Sequence, residues 1–405
     1  FISVGDADTL WHPQYFDALA YQALEMTPEE AAWTIWQPPM LLFRNLFAVP
    51  GVTRLGGLGT LLFELAGLTN QWLSPHMCFS SYSLTLILAN HRFVAGWDAD
   101  VVAEDHHMFC KCFFACLWEE LDGDREKLPL KPKLKLSAIY LPAQGYLVES
   151  SEGYFQSCWA RFQQARRHSQ GVAELGYVLL QYIKLLLSAG PFRLSLSAHY
   201  KICAIMGKMF TVHIVNSVQA FALIVAGITT LPLLVVGLQE VLGNVFKGND
   251  FSAIVAGFVN GVDSNAAFTA AKWSLLLAFG PLPPVCMLSG YTNYMAVRDY
   301  VEGRYWKPPV SSKPLPPLPI GEAASSTESK DENSAKANDK QELTTFQCLS
   351  LMLSLQYDMM FLAEPTVIMY GMVPAILACW SLLGRGSKFE YIVAAKGKPG
   401  DGHHS

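Results

Sequence analysis

Apolar and polar positions divide the chain into two textures. Through about residue 200, short apolar runs alternate with charges and turn residues, as in FISVGDADT at 1–9 and KLKLSAIYLPAQGYLV at 133–148, the pattern of an α/β globular region. Beyond it the charges vanish. The 31 residues from Met209 to Gln239 contain no Asp, Glu, Lys or Arg, more than the roughly 20 apolar residues that cross a bilayer and too many for an ordinary core helix. A second uncharged run, Trp273 to Val297, ends in Tyr291, Tyr294, Arg298 and Arg304, an aromatic and basic border suited to a cytoplasmic membrane interface. A third runs from Pro365 to Gly384. The stretch Leu343 to Tyr357 is apolar but short and broken by Gln347, Gln356 and the adjacent Asp358, so an interfacial helix is expected there.

Between the second and third runs, Lys307 to Gln341 is dense in Pro, Ser, Glu and Lys without any apolar period. Such a segment cannot bury enough surface to order itself and is expected to be a disordered linker. The expected map is therefore a globular region over 1–200, two membrane helices within 201–306, a linker over 307–342, an interfacial helix plus a third span within 343–385, and a polar tail over 386–405. The chain opens on Phe1, with an apolar, β-prone run already under way, and is expected to be cut at its N-terminus.

Composition supports the membrane reading: 51% of residues are hydrophobic and only 16% charged, against about 25% charged in soluble domains. A net charge of -5 supplies no basic field for phosphate backbones, so nucleic acid is not an expected partner. Nine cysteines, three of them crowded at Cys110, Cys112 and Cys116, form no disulfide framework and read as reduced thiols. A transporter would need ionisable groups within its spans, and the first two runs hold only His213.

Three clusters could carry chemistry. Asp6 and Asp8 follow an apolar strand two apart and would share one side if strand geometry persists, an oxygen-donor pair suited to Mg²⁺ or Mn²⁺ with substrate phosphates completing the shell. The same spacing recurs at Asp98/Asp100 and Asp122/Asp124, and taken singly each is better explained as a turn or strand-end cap. Glu104 and Asp105 stand at an expected helix start, where acids often act as caps; the functional alternative is a carboxylate base, Asp105, oriented by its neighbour. Gln164, Arg167 and Gly171 share one helical face, on which an amide and an Arg could hold a diphosphate or sugar hydroxyls. His106, His107, Cys110 and Cys112 could ligate zinc in type, but no second ligand pair accompanies them, and packing is the expected role.

Taken in order, the motifs DADT (6–9), GWDADVVAED (96–105) and QARRHSQG (164–171) resemble those of glycosyltransferase family 2, which includes cellulose, chitin, hyaluronan and mannan synthases. The resemblance covers about residues 1 to 300. It implies part of a GT-A-type α/β nucleotide-sugar-binding domain followed by transmembrane helices, and an inverting, metal-dependent transfer of a sugar to an acceptor hydroxyl of a carbohydrate or lipid. It further implies Asp6 and Asp8 at a Mg²⁺ or Mn²⁺ ion and the donor diphosphate, Asp105 as base with Glu104 beside it, Gln164 and Arg167 at donor phosphate and acceptor, and Trp97 on the acceptor side. His168 stands where the family carries Trp, giving a smaller acceptor platform. The expected setting is a multi-pass protein of the Golgi or plasma membrane with a cytosolic catalytic domain. The family's domain begins upstream of its Asp-x-Asp, so the chain alone is expected to be inactive. The alternative is a non-catalytic membrane scaffold derived from such an enzyme.

Overall fold

The computed structural model describes residues 1–69, 81–99, 101, 103–123, 129–215, 282–306 and 343–385, with scattered positions between 218 and 256. The expected linker and polar tail, about half of the first uncharged run and residues 273–281 of the second lie outside the described residues. What is described is a predominantly helical α/β fold around a small sheet.

Four short strands form the main sheet: β1 (Ile2–Val4), β2 (Thr34–Gln37), β4 (Tyr82–Leu84) and β5 (Lys135–Ala138), in the order β1-β4-β2-β5. β4 pairs antiparallel with β1 and β2, and β5 runs parallel to β2. All of β2 and β4 is buried, as central strands covered on both faces must be. A second sheet pairs β3 (Met40–Leu41) with β6 (Ala143–Gln144) in parallel. Helices α1 (Tyr15–Leu24) and α2 (Pro28–Ala32) connect β1 to β2. α2 starts on a capping box in which Thr27 and Glu30 satisfy each other's backbone N–H groups.

Helix α3 (Gly51–Thr69) follows β3, and α4 (Leu86–Ala89) starts on the Thr85 hydroxyl. α5 (Glu104–Gly123) is buried from His106 through Leu117 and forms the spine of the main core. Against it pack the sheet, through Ile35, Tyr82 and Leu84, and two later helices, α7 (Ala173–Ala189) and α8 (Leu196–Phe210), through Val178, Leu185, Ile202 and Ile205. α6 (Tyr154–Ser169) leads into α7 through a single 3-10 turn.

A second core joins α3 to α9 (Leu282–Val301) and α10 (Thr345–Gly384), with Leu58, Leu61, Tyr294, Val297 and Leu355 in contact. α10 has 40 residues and starts on a capping box between Thr344 and Gln347. The segment expected as a separate interfacial helix runs into the third uncharged run without a break: at Tyr357 the chain passes through a π-turn, Asp358–Leu362, and stays helical. Asp358 does not interrupt it because Arg54 of α3 pairs with that carboxylate at 2.6 and 2.7 Å.

Two helices are long enough to cross a membrane and contain an 18-residue window apolar enough to do so, Tyr154–Ala189 with a window of mean hydropathy 1.4 and Thr345–Gly384 with one of 1.8. The second contains the expected third span, whereas the first falls in the region expected to be globular.

Candidate functional site

β1 ends at Val4, and Thr9 N donates to the Asp6 carbonyl at 2.9 Å, closing a turn. Strand alternation therefore stops before the two aspartates, and the expectation that it sets their carboxylates on one side does not hold. Asp8 is oriented by other means. Its Oδ2 accepts from Tyr146 N at 2.9 Å, and its carbonyl accepts from Arg44 Nη1 at 3.0 Å, while the Arg44 guanidinium lies 4.2 Å over the Tyr146 ring.

The other two Asp-x-Asp repeats are used structurally where they are described. Asp122 pairs with Arg92 at 2.7 Å. Asp98, which shares that spacing, is clamped: both its oxygens lie 2.9 Å from Lys111 Nζ, and Oδ2 is 2.8 Å from His107 Nε2. Asp100 and Asp124 lie outside the described residues.

The other ring nitrogen of His107 lies 2.6 Å from Glu174 Oε2, so this buried imidazole bridges two acids. Burial disfavours charge on it, but Glu174 and Asp98 together outweigh that effect and raise its pKa. Burial likewise works against ionised Asp98, and the hydrogen bonds from Lys111 and His107 prevail and hold it below the usual carboxylate range. The clamp fixes the turn at Gly96, whose carbonyl also accepts from Lys111 at 2.9 Å. Trp97 follows directly, half exposed, with its indole N–H donating to Tyr82 OH at 2.8 Å. Trp97, Asp98, Val101, Glu104, His107 and Lys111 line a small cleft.

Glu104 and Asp105 open α5, where the helix N-terminus favours negative charge; Asp105 Oδ1 accepts from His106 N at 2.8 Å. Glu104 registers the rest of the site. Although the residue reaches solvent, its carboxyl is pushed up, first by partial burial and then by the charges of Asp105 and Asp6, with Arg167 pulling the other way. Residues about 100 and 60 positions away in sequence thus act on one carboxyl. Arg167 and Gln164 are half-buried on α6, where Arg161 Nη1 donates to Gln164 Oε1, and His168 beside them is exposed. Gly171 follows in the 3-10 turn, at a point of close approach: a Cβ there would lie 2.7 Å from His213 Cε1 and 3.4 Å from Ala103 Cβ, the residue before Glu104.

His213 is the residue that motif reading passed over. It sits on a π-turn at the end of α8, is buried, lies with its ring 6.0 Å from His106, and has no hydrogen-bond partner for Nε2 among the described residues. The available signal was its position as the lone ionisable residue of a 31-residue uncharged run. His107, Lys111 and Glu174 were not legible as a network, because their partners lie in different motifs.

The cysteines beside His106 and His107 lie inside the protein. Cys110, Cys112 and Cys116 are buried in the main core, where burial pushes their thiols up, Cys116 to about 11. Among the described residues no group of three or more His, Cys, Asp or Glu is placed to hold a metal ion. A hard cation shared with substrate phosphates needs only one or two carboxylates. Asp6 and Asp8 supply oxygen donors of that kind, and the negative charge that raises Glu104 is what a cation would offset. No protein-family model, characterised protein or solved structure matches the chain.

Proposed function

We propose that this chain is the catalytic and membrane-proximal part of a membrane glycosyltransferase that moves a sugar from a nucleotide-sugar donor to an acceptor hydroxyl with inversion. One observation supports the reading most: Gly171 closes the 164–171 motif against Ala103, the residue before Glu104, where a Cβ would lie 3.4 Å from that of Ala103, so two of the three motifs meet at the head of α5, and the charges of Asp6, Asp105 and Arg167 bear on the Glu104 carboxyl there. A nucleotide-sugar transfer needs this charge pattern, with carboxylates for a proton and a cation and a guanidinium for the departing phosphates.

In this mechanism Asp105 takes the proton of the acceptor hydroxyl as its oxygen bonds to the anomeric carbon. The bond from that carbon to the diphosphate oxygen breaks on the opposite face, and the nucleoside diphosphate leaves with the bonding pair. Arg167 stabilises its charge, and Gln164, held by Arg161, orients donor or acceptor hydroxyls. Glu104 stands beside Asp105 at the head of α5 and orients the site. Asp6 and Asp8 would hold Mg²⁺ or Mn²⁺, which supplies charge neutralisation to the diphosphate when bound. Trp97 lines the acceptor side of the cleft, where the clamp on Asp98 sets its position. The exposed His168 ring adds a polar edge rather than a broad platform. The uncharged runs at 209–239, 273–297 and 365–384 anchor the enzyme in a Golgi or plasma membrane, with the site on the cytosolic side.

The test compares transfer from a panel of nucleotide sugars, with Mn²⁺ or Mg²⁺, by membranes carrying the full-length protein and its Asp105→Asn variant. Turnover should fall at least about a hundredfold with donor binding retained. Unchanged turnover would remove Asp105 from the mechanism, and turnover by neither protein would favour the scaffold reading.

A further inference from the structure

Helix α7 carries apolar residues on two opposite sides. Val178, Leu185 and Ala189 enter the main core, and Glu174 on that side bonds His107. At about 100° per residue, Leu180, Ile183 and Leu187 fall on the other side, where they are 58%, 42% and 83% exposed. Phe192 and Leu196 continue the apolar surface around the turn into α8, at 95% and 85% exposed. The turn is held in place, because Leu130 N donates to the Arg193 carbonyl at 2.7 Å and Ser195 N to the Leu130 carbonyl at 3.0 Å. Single exposed leucines are ordinary on soluble proteins, but a contiguous patch of this kind marks an interaction surface.

Charge selects the partner. No Asp or Glu occurs between Glu174 and Glu240, Lys184 is exposed at the edge of the patch, and α8 leads directly into the uncharged run that begins at Met209. Apolar side chains beside a cation, at the entry to an uncharged run of membrane-spanning length, match an anionic lipid surface. Although the stretch 154–189 is apolar enough to cross, α7 cannot leave the core without uncovering Val178, Leu185 and the His107–Glu174 pair, and its leading half carries Arg161, Arg166 and Arg167. A helix with one face in the protein and the other in lipid lies along the surface.

We propose that the α7–α8 turn rests in a bilayer of anionic lipids, with Leu187, Phe192 and Leu196 among the acyl chains and Lys184 at phosphate level. This contact holds the head of α5 at a fixed height above the membrane, and it does not depend on the transferase reading. The test places photoreactive benzoylphenylalanine at Phe192 or Leu196, and at the exposed Leu24 of α1 as comparison, in the full-length chain in vesicles of phosphatidylcholine and phosphatidylserine. Lipid adducts should form at Phe192 and Leu196 and not at Leu24. Replacing Lys184 by Gln, or omitting phosphatidylserine, should lower the Phe192 adduct at least about fivefold. Adducts to a second protein chain, equal labelling at Leu24, or a yield indifferent to the anionic lipid would overturn the proposal.

Discussion

Glu64 offers a test of the fold beneath the site that requires no knowledge of the substrate. It is 1% exposed on α3; its Oε1 accepts from Gln37 Nε2 at 2.8 Å and its Oε2 from Met40 N at 3.1 Å, tying the end of β2 and the start of β3 to the helix. Burial drives its carboxyl from 4.5 up to about 8, with the charge of Asp105 adding to the rise and the two hydrogen bonds and Lys208 opposing it. Because the folded value lies above the unfolded one, the associated stability is fully present below pH 4.5, declines as pH rises, and is gone above about 8. At about 1.36 kcal/mol per tenfold change in proton concentration, that interval amounts to about 5 kcal/mol, comparable to the whole stability of a marginal domain. Denaturant titrations in detergent at several pH values from 5 to 8, read by tryptophan fluorescence, should show wild type losing stability by up to that amount. Glu64→Gln, which cannot ionise, should flatten the dependence even if the lost Met40 bond lowers stability at every pH. Parallel curves for the two proteins would mean that Glu64 does not change protonation in this window, and the argument from its burial would be wrong.

Gly171→Ala should destabilise the protein by about 1–3 kcal/mol in the same assay, because the new methyl would meet the buried His213 ring at 2.7 Å; adding His213→Ala should recover most of that loss, and no recovery would show that the ring is not the obstacle. Asp358→Asn should cost about 3–5 kcal/mol by leaving Arg54 without its partner at the α3–α10 contact, whereas replacing both residues by apolar ones of similar size should cost much less; equal losses would refute the pairing. Asp8→Asn should abolish metal-dependent donor turnover while the protein still folds and inserts, judged by an unchanged melting profile, and full activity would place the cation elsewhere. His107→Gln should loosen the clamp on Asp98 and raise the acceptor KM more than it lowers kcat, whereas an equal effect on both would argue for a purely structural role.

Local sequence determined the elements whose signals are local. The apolar run before Asp6 forms a strand, the acids at 104 and 105 open a helix, Gln164 and Arg167 share a helical face, and the uncharged C-terminal run is helical. Each of these depends on period, cap or composition within a few turns of chain. What sequence could not separate was three copies of one short motif. Asp98, Asp122 and the 6–8 pair look alike in spacing, and only tertiary structure brings Lys111 and His107 to Asp98 and Arg92 to Asp122. It likewise extended the helix through Asp358, which reads as a break until Arg54, some 300 positions earlier, neutralises it. Residues 154–189 show the same division: their hydropathy is a property of the sequence, but which face enters the core and which is left outside was decided by α5, α8 and the sheet. The physical reason is common to these cases. A carboxylate or an apolar face acquires its role from what desolvates or neutralises it, and those partners arrive from distant parts of the chain.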